Sequence, residues 1–257
     1  VPGNQKQPVL AIMSKRIAII PARYDSKRFP GKALALISGK PMIQHVYERA
    51  IRCKELDEVY IATDDERIFR CAKGFGAEVI LTWKGHRTGT ERVFEAAERL
   101  GLKDEDIVIN IQGDQPAFNP AIISILIEGL KESDVATLKY PIKGDEILDP
   151  NIVKVVTDKE GFALYFSRAP IPYVRDKKEG FFYKHLGFYG YRMGFLKKFI
   201  NLPEGVLERL EKLEQLRVLE NGYKIKVIES PYDSVDVNVP EDVKKAEDAI
   251  SSLKEPF

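Results

Sequence analysis

Four cations, a serine and a glycine fall within the run Pro21-Ala22-Arg23-Tyr24-Asp25-Ser26-Lys27-Arg28-Phe29-Pro30-Gly31-Lys32. Arginine forks, a lysine point charge and backbone N–H groups all favour phosphate oxygens, so this run has the chemistry to wrap a triphosphate. It is neither of the two commonest phosphate loops. The dinucleotide pattern G-x-G-x-x-G is missing, and Gly31-Lys32 is followed by Ala33, so the magnesium-holding hydroxyl of a P-loop is absent. The run describes a nucleotide site of a third kind. A carboxylate that could serve the same site stands in Gln112-Gly113-Asp114-Gln115-Pro116. Asp114 reads either as a turn residue after a strand or as one of the one or two carboxylates that hold the Mg²⁺ accompanying a triphosphate. A second acidic turn carries Asp233, Asp236 and Asn238, and taken alone it reads as a cap for the helix that follows.

The elements around these residues put them in one place. Arg16 to Ile20 reads as an apolar strand ending where the cationic run begins, and Ile107 to Ile111 as a buried strand ending at Gln112. Ligands of open α/β sheets sit at strand carboxyl ends, so both segments face one crevice. Further strands are expected at 59–62 and 78–81. Helices are expected around 41–52, after Asp64-Asp65, at about 90–100 and after Asn119-Pro120. This β/α alternation argues for a parallel sheet covered on both faces. Near Asp149-Pro150 the pattern changes. Residues 153–156 and 162–166 flank the turn Asp158-Lys159-Glu160-Gly161 and read as an antiparallel hairpin. A Pro- and charge-rich loop spans 168–180, a strand 186–191, and one amphipathic helix 206–219 ended by Asn221-Gly222. A last strand spans 224–228, and a final helix starts at Pro240-Glu241-Asp242.

Composition excludes several classes. The chain has 257 residues, enough for one large α/β domain, and its 40 basic and 39 acidic residues nearly cancel. No overall field favours nucleic acid or an anionic membrane, so any attraction for anions is local. Cys53 and Cys71 lie on expected helices without a Cys-x-x-Cys pair and read as reduced structural residues of a cytoplasmic protein. No apolar run reaches the roughly 18 residues of a membrane helix. Residues 1–14 lack the basic start and long apolar core of a secretory signal and read as an N-terminal extension or cloning remnant, before a single domain over 15–257.

Five segments occur in one order: Pro21–Lys32, Gln112–Pro116, Ser167-Arg168-Ala169-Pro170-Ile171-Pro172, His185-Leu186-Gly187-Phe188-Tyr189-Gly190-Tyr191-Arg192 and Leu213-Glu214-Gln215-Leu216-Arg217. This order closely resembles the bacterial 3-deoxy-manno-octulosonate (Kdo) cytidylyltransferases, from Ser14 to about Leu253. The first segment marks the wider cytidylyltransferase group, including those acting on sialic acids; the third and fourth are more specific to Kdo. The resemblance implies a Rossmann-like, glycosyltransferase-A-like nucleotidyltransferase fold with a mixed central sheet. It also implies a smaller antiparallel lobe within 150–200 that covers the sugar and makes a homodimer. The implied reaction joins CTP and Kdo into CMP-Kdo and pyrophosphate, with Mg²⁺ as cofactor, for lipopolysaccharide biosynthesis. In it Ala22, Arg23, Ser26, Arg28 and Lys32, with Thr88 and Gly89 of Thr88-Gly89-Thr90-Glu91-Arg92, hold the nucleotide, and Arg23, Lys32 and Asp114 are catalytic. Gln112, Arg168, His185, Tyr189, Glu214 and Gln215 match the sugar-binding positions.

Each of these residues also has a plainer reading. His185 can be a partly buried histidine, Tyr189 and Tyr191 ordinary strand aromatics, Thr88 a helix cap, and Glu214 or Gln215 solvated helix residues; it is their joint occurrence that favours the sugar site. One departure concerns the metal. Family members usually read Val-Asp-Thr-Pro-Glu-Asp at the second acidic turn, whereas this chain reads Val235-Asp236-Val237-Asn238-Val239-Pro240-Glu241-Asp242. The second ligand is therefore Asp236 or Asn238, with carboxylate the better partner for a hard cation. The departure also admits an amino analogue of Kdo as substrate. Rival readings are a cytidylyltransferase for a sialic-acid relative, a non-catalytic nucleotide-binding protein, and a sugar-nucleotide-using glycosyltransferase. The last usually carries Asp-x-Asp where this chain has Asp114-Gln115-Pro116.

Overall fold

Ile17 and Ile19 of the first strand, β1 (Arg16–Ala22), pack into one core, and Ala18 and Ile20 pack into another. A strand apolar on both faces belongs inside a sheet covered on both sides, and β1 lies at that position. The computed structural model describes residues 14–26, 28–176 and 180–253. Lys27 of the cationic run, most of the expected extension, residues 177–179 of the 168–180 loop and residues 254–257 lie outside the described residues. After β1 come β2 (Leu36–Ile37), β3 (Lys40–Pro41), α1 (Met42–Ala50), β4 (Glu58–Thr63), α2 (Glu66–Gly74), β5 (Glu78–Leu81), α3 (Gly89–Arg99), β6 (Ile107–Asn110) and α4 (Ala121–Gly129). Then follow β7 (Val135–Ile142), β8 (Lys154–Thr157), β9 (Ala163–Ser167), β10 (Phe182–Arg192), α5 (Met193–Ile200), α6 (Val206–Glu211), α7 (Leu216–Glu220), β11 (Lys226–Glu229) and α8 (Asp242–Ser252).

The main sheet has the order β11-β7-β10-β6-β1-β4-β5. β1 is parallel to β4 and β6, and β4 to β5. β10 is antiparallel to both β6 and β7, and β11 is parallel to β7. The sheet is mixed, as expected: the parallel arrangement suggested by the alternation holds for β1, β4, β5 and β6 and again for the β7–β11 pair, with β10 antiparallel between them. The β8–β9 hairpin is antiparallel and joins the main sheet through pairing of β8 with β10, while β2 and β3 form a separate two-stranded antiparallel sheet. Helices α1, α2 and α4 cover one face through Ile43, Val46, Ile68, Ala72, Ile122 and Leu126. Helices α3, α5 and α7 cover the other through Val93, Ala96, Leu196, Phe199 and Leu216. A third cluster of Ile37, Met42, Val237 and Ala246 fixes the second acidic turn and α8 beside α1.

Capping follows the side chains. The Asp65 carboxylate accepts from the Arg67 backbone N–H at 2.9 Å to open α2, and Asn119 Oδ1 accepts from the Ala121 N–H at 3.0 Å to open α4. Asn119 thus caps as expected, with the helix beginning one residue past Pro120.

Three differences from the sequence reading bear on the site. The single helix expected over 206–219 is two helices, because Lys212 adopts the left-handed conformation (φ 55°) and the chain turns before Glu214. Strand β7 and helix α5 were not foreseen, and β10 is longer than expected, running from Phe182 to Arg192.

A buried ion pair closes the break between α6 and α7. Arg217 donates from Nε to Glu208 Oε2 at 2.8 Å and from Nη2 to Glu208 Oε1 at 2.6 Å, with both side chains under 10% exposed. Removing one partner strands a charge in the interior and costs about 3–5 kcal/mol. Glu208→Gln should therefore lower the urea midpoint of unfolding by that stability loss. An unchanged midpoint would show that the pair does not hold the turn.

Candidate active site

The loops after β1, β5 and β6 leave the carboxyl edge of the sheet together and line one cavity of about 790 Å³. Its walls include Ala22, Arg23, Ser26, Arg28 and Lys32 from the first loop, Thr88 and Gly89 at the start of α3, and Gln112, Gly113 and Asp114 after β6. The cationic loop takes its shape from two contacts. Gly31 sits at φ 70° and donates its N–H to Tyr24 O at 2.8 Å. A β-carbon at Gly31 would lie 3.0 Å from the Tyr24 ring, so a larger residue is opposed by both backbone and ring. The Arg67 guanidinium, itself paired with Asp65, stacks 3.2 Å over the centroid of that ring.

Lys32 and Asp114 meet at the cavity floor. Lys32 Nζ lies 2.6 Å from Asp114 Oδ2 and 3.3 Å from Val237 O. The Val237 N–H in turn donates to Asp114 O at 2.9 Å, which locks the second acidic turn against the β6 loop. Gly113 lets the loop after β6 pass close to the end of β1, because a β-carbon there would lie 2.8 Å from Pro21 O. Val237 is fully buried, and its two acidic-turn neighbours take different partners. Asp236 accepts from Gln115 Nε2 at 2.5 Å, while Asn238 Oδ1 accepts from Arg28 Nη2 at 3.1 Å and lines the cavity. Asp236 is exposed and does not line the cavity, and the surrounding protein, with the Asp114 charge acting on it, pushes its pKa up to about 6.

The adjoining face of the sheet carries the residues matched to the sugar. Tyr189 and His185 pack ring against ring at 5.3 Å, with Phe166 on the other side of His185 at 5.1 Å. Burial pushes the His185 imidazole down to about 3, so it is neutral at any working pH. Glu214, at the turn between α6 and α7, accepts from Thr90 Oγ1 at 2.7 Å. Burial raises its pKa, and hydroxyls of Thr90 and Thr88 pull the other way. The Tyr189 phenol is pushed well up by burial and by the nearby Glu214. Gln215 is buried beside Glu214 at the start of α7. Gln112 joins the two regions, since it lines the nucleotide-sized cavity and its Cγ lies 3.7 Å from where a Gly187 β-carbon would stand.

Arg168 is placed differently from the others. Its guanidinium donates to Glu211 O and Pro150 O, each at 2.9 Å, and like His185, Tyr189, Glu214 and Gln215 it is absent from the described cavity lining, which of the sugar-matched residues holds Gln112 alone. It ties the end of β9 to α6 and the 149–152 turn. Two residues that line or brace the cavity were not singled out from the sequence. Arg92, 3% exposed, reaches the cavity wall while pairing with Asp64 at 3.2 Å and with Thr82 Oγ1. His86 pairs with Glu95 at the cavity edge. Arg92 ends the Thr88–Arg92 segment, so that segment contained the signal; the partners of His86 lie on α3, where spacing alone does not single them out.

A nucleotide-sized cavity at the carboxyl edge of this mixed sheet, with cations and a carboxylate on its floor, defines the nucleotidyltransferase class. Residues 17–225 match the family model described as "Cytidylyltransferase". A curated relative from Syntrophus aciditrophicus, 3-deoxy-manno-octulosonate cytidylyltransferase, is 51% identical over 93% of this chain and 98% of its own. An 8-amino-3,8-dideoxy-manno-octulosonate cytidylyltransferase from Shewanella sp. (strain ANA-3) is 52% identical over 91% of this chain and 97% of its own. The solved structure of a CMP:2-keto-3-deoxy-manno-octonic acid synthetase complexed with CTP superposes with a TM-score of 0.88 at 40% identity, covering 94% of this chain and all of that one. The chain belongs to the cytidylyltransferase family.

Proposed function

We propose that this enzyme transfers CMP from CTP to the anomeric hydroxyl of Kdo, releasing pyrophosphate. The anomeric oxygen attacks the α-phosphorus, the new P–O bond forms as the bond to the β-phosphate oxygen breaks, and the hydroxyl proton leaves to solvent or base. The observation that carries this reading is the Lys32–Asp114 pair at 2.6 Å on the floor of a cavity also lined by Arg28 and Thr88. Phosphoryl transfer needs positioning and charge stabilisation more than a covalent nucleophile, and this floor supplies both. Lys32 would neutralise phosphate charge, with Arg23, Ser26 and Arg28 along the triphosphate and Ala22, Thr88 and Gly89 beside the nucleoside.

The residues present fit a magnesium ion, because the Asp114 charge acts on the Asp236 carboxyl and raises its pKa to about 6, a repulsion that a bound cation relieves. Asp114 and Asp236 would hold Mg²⁺, which supplies charge neutralisation at the phosphates. Asn238, which lines the cavity with Asp114 and accepts from Arg28, is the alternative second oxygen ligand. For the sugar acid, Gln112, His185, Tyr189, Glu214 and Gln215 offer neutral and acidic groups that suit hydroxyls. Arg168 would serve its carboxylate only after exchanging the carbonyls it holds.

The second reading is the 8-amino analogue of Kdo, favoured by relatives of that name at equal identity. A pyrophosphate-release assay crossing the four nucleoside triphosphates with Kdo, its 8-amino analogue and a sialic acid separates them. CTP with Kdo should give the highest kcat/KM. Preference for the amino sugar would move the assignment to the second reading, and no pyrophosphate with any octulosonate would overturn both.

We further place the reaction in the cytoplasm, where CTP is made, as a step toward lipopolysaccharide. No helix among the described residues is long and apolar enough to cross a membrane. A homodimer through the smaller lobe is supported by Leu164, Tyr173 and Phe181, which are 62%, 87% and 85% exposed there.

A further inference from the structure

Strand β10 carries two more residues than its partner at one point. Leu186 pairs with Leu138 of β7, but the next β7 residue, Thr137, pairs with Tyr189, so Gly187 and Phe188 bulge out. The fully buried Thr137 hydroxyl stands at this bulge and meets three groups. Its Oγ1 lies 2.7 Å from Phe188 O, 3.2 Å from Leu186 O and 2.9 Å from His185 Nε2.

A hydroxyl has one proton to give, and carbonyl oxygens can only accept. Were that proton directed at His185, the Thr137 oxygen would face Phe188 O at 2.7 Å with lone pairs opposed. Donation to the carbonyl relieves this, and then His185 must donate from Nε2 to the Thr137 oxygen. Its Nδ1 is left with a lone pair and has no hydrogen-bond partner among the described residues. His185 as a whole is half-buried, with the Phe166 and Tyr189 rings packed against it. The same bulge sets Gly187 against the two glutamines of the site: a β-carbon there would lie 3.7 Å from Gln112 Cγ and 3.6 Å from Gln115 Nε2, and Gln115 holds Asp236.

We propose that Thr137 is a positioning residue that fixes His185 in the Nε2–H form, so that its Nδ1 accepts a hydrogen bond from a substrate hydroxyl and selects a hydroxyl donor over a carboxylate. The assignment of that hydroxyl to the sugar acid rests on the function proposed above; the tautomer does not. Carboxylates lack a proton to give to Nδ1, so the residue discriminates by chemistry as well as by shape.

The test uses the full chain labelled with ¹⁵N-histidine. The sequence has three histidines, and His185→Gln identifies the signals of interest by their loss. Long-range ¹H–¹⁵N correlation of the wild type should show His185 protonated on Nε2. A proton on Nδ1 would overturn the proposal, whatever the enzyme turns over. Thr137→Val removes the hydroxyl at nearly constant shape and should mix the two tautomers. It should also raise KM for the sugar acid by roughly 10-fold, the scale of one lost neutral hydrogen bond, with KM for CTP within about twofold. Thr137→Ser should restore both readouts. Thr137→Val with an unaltered tautomer, or Thr137→Ser failing to rescue, would leave the hydroxyl without the role assigned to it. If the valine variant does not fold, the wild-type spectrum and the serine variant still decide.

Discussion

Asp114→Ala should lower turnover by at least ~10²–10³-fold, the scale seen when a major electrostatic element of an active site is removed. The carboxylate binds Lys32 at 2.6 Å and adds to the field felt by Asp236, so its loss leaves the lysine unpaired and halves the acidic charge of the proposed metal site. The loop itself should stay in place, because its contact with the second acidic turn runs through the backbone, from Val237 N–H to Asp114 O at 2.9 Å. Circular dichroism and thermal unfolding close to wild type are therefore expected alongside the kinetic loss. Near wild-type turnover at limiting Mg²⁺ would contradict the role given to Asp114.

Lys32→Ala should cost a comparable ~10²–10³-fold in kcat/KM for CTP. The lysine is the cation set deepest against the acidic pair, held by Asp114 and by Val237 O, whereas Arg23 and Arg28 are exposed on the loop. An ammonium already fixed in place stabilises phosphate charge without reorganising during the reaction, which exposed arginines do not match. The loss should appear in single-turnover experiments at saturating CTP as well as in binding. An effect confined to CTP affinity, with the chemical step intact, would reduce Lys32 to a binding residue.

The sequence made the first half of the fold legible because β1, β4 and β6 are short apolar runs with helices between them, and periodicity reports such contrast directly. It also revealed the β8–β9 hairpin, whose Asp158–Gly161 turn is built from turn-favouring residues. Strand β7 was not legible. Its sequence Val-Ala-Thr-Leu-Lys-Tyr-Pro-Ile mixes a lysine and a proline into the run, and its place is set by pairing with β10 and β11 far along the chain. The break at Lys212 was hidden for the opposite reason. Leu210, Leu213 and Leu216 keep helical spacing across it, while the turn is stabilised by the Arg217–Glu208 pair and by Glu220, which accepts from the N–H groups of Leu207 and Glu208.

The site divides in the same way. The residues of the cationic run and Asp114 could be read from type and position because both segments follow strands of one sheet. The partners of Asp236 and Asn238 could not, since they depend on Val237 being buried against Ile37, Met42 and Ala246, which sends Asp236 to Gln115 and Asn238 to Arg28. Arg168 shows the limit of a segment match. The residue stands where the resemblance expects it in sequence, and its guanidinium is spent on two backbone carbonyls. Thr137 left no local trace, because its role arises only where β7 meets the bulge of β10.

The central claim is that one crevice holds the nucleotide with its phosphates at the Lys32–Asp114 floor. A crystal structure with CTP and Mg²⁺ tests it most directly. The cytidine should lie beside Thr88 and Gly89 with the triphosphate reaching Ser26, Arg28 and Lys32, and Mg²⁺ density should stand at Asp114. Density for the nucleotide in any other part of the molecule, or an Asp114 carboxylate turned away from both lysine and metal, would contradict the account.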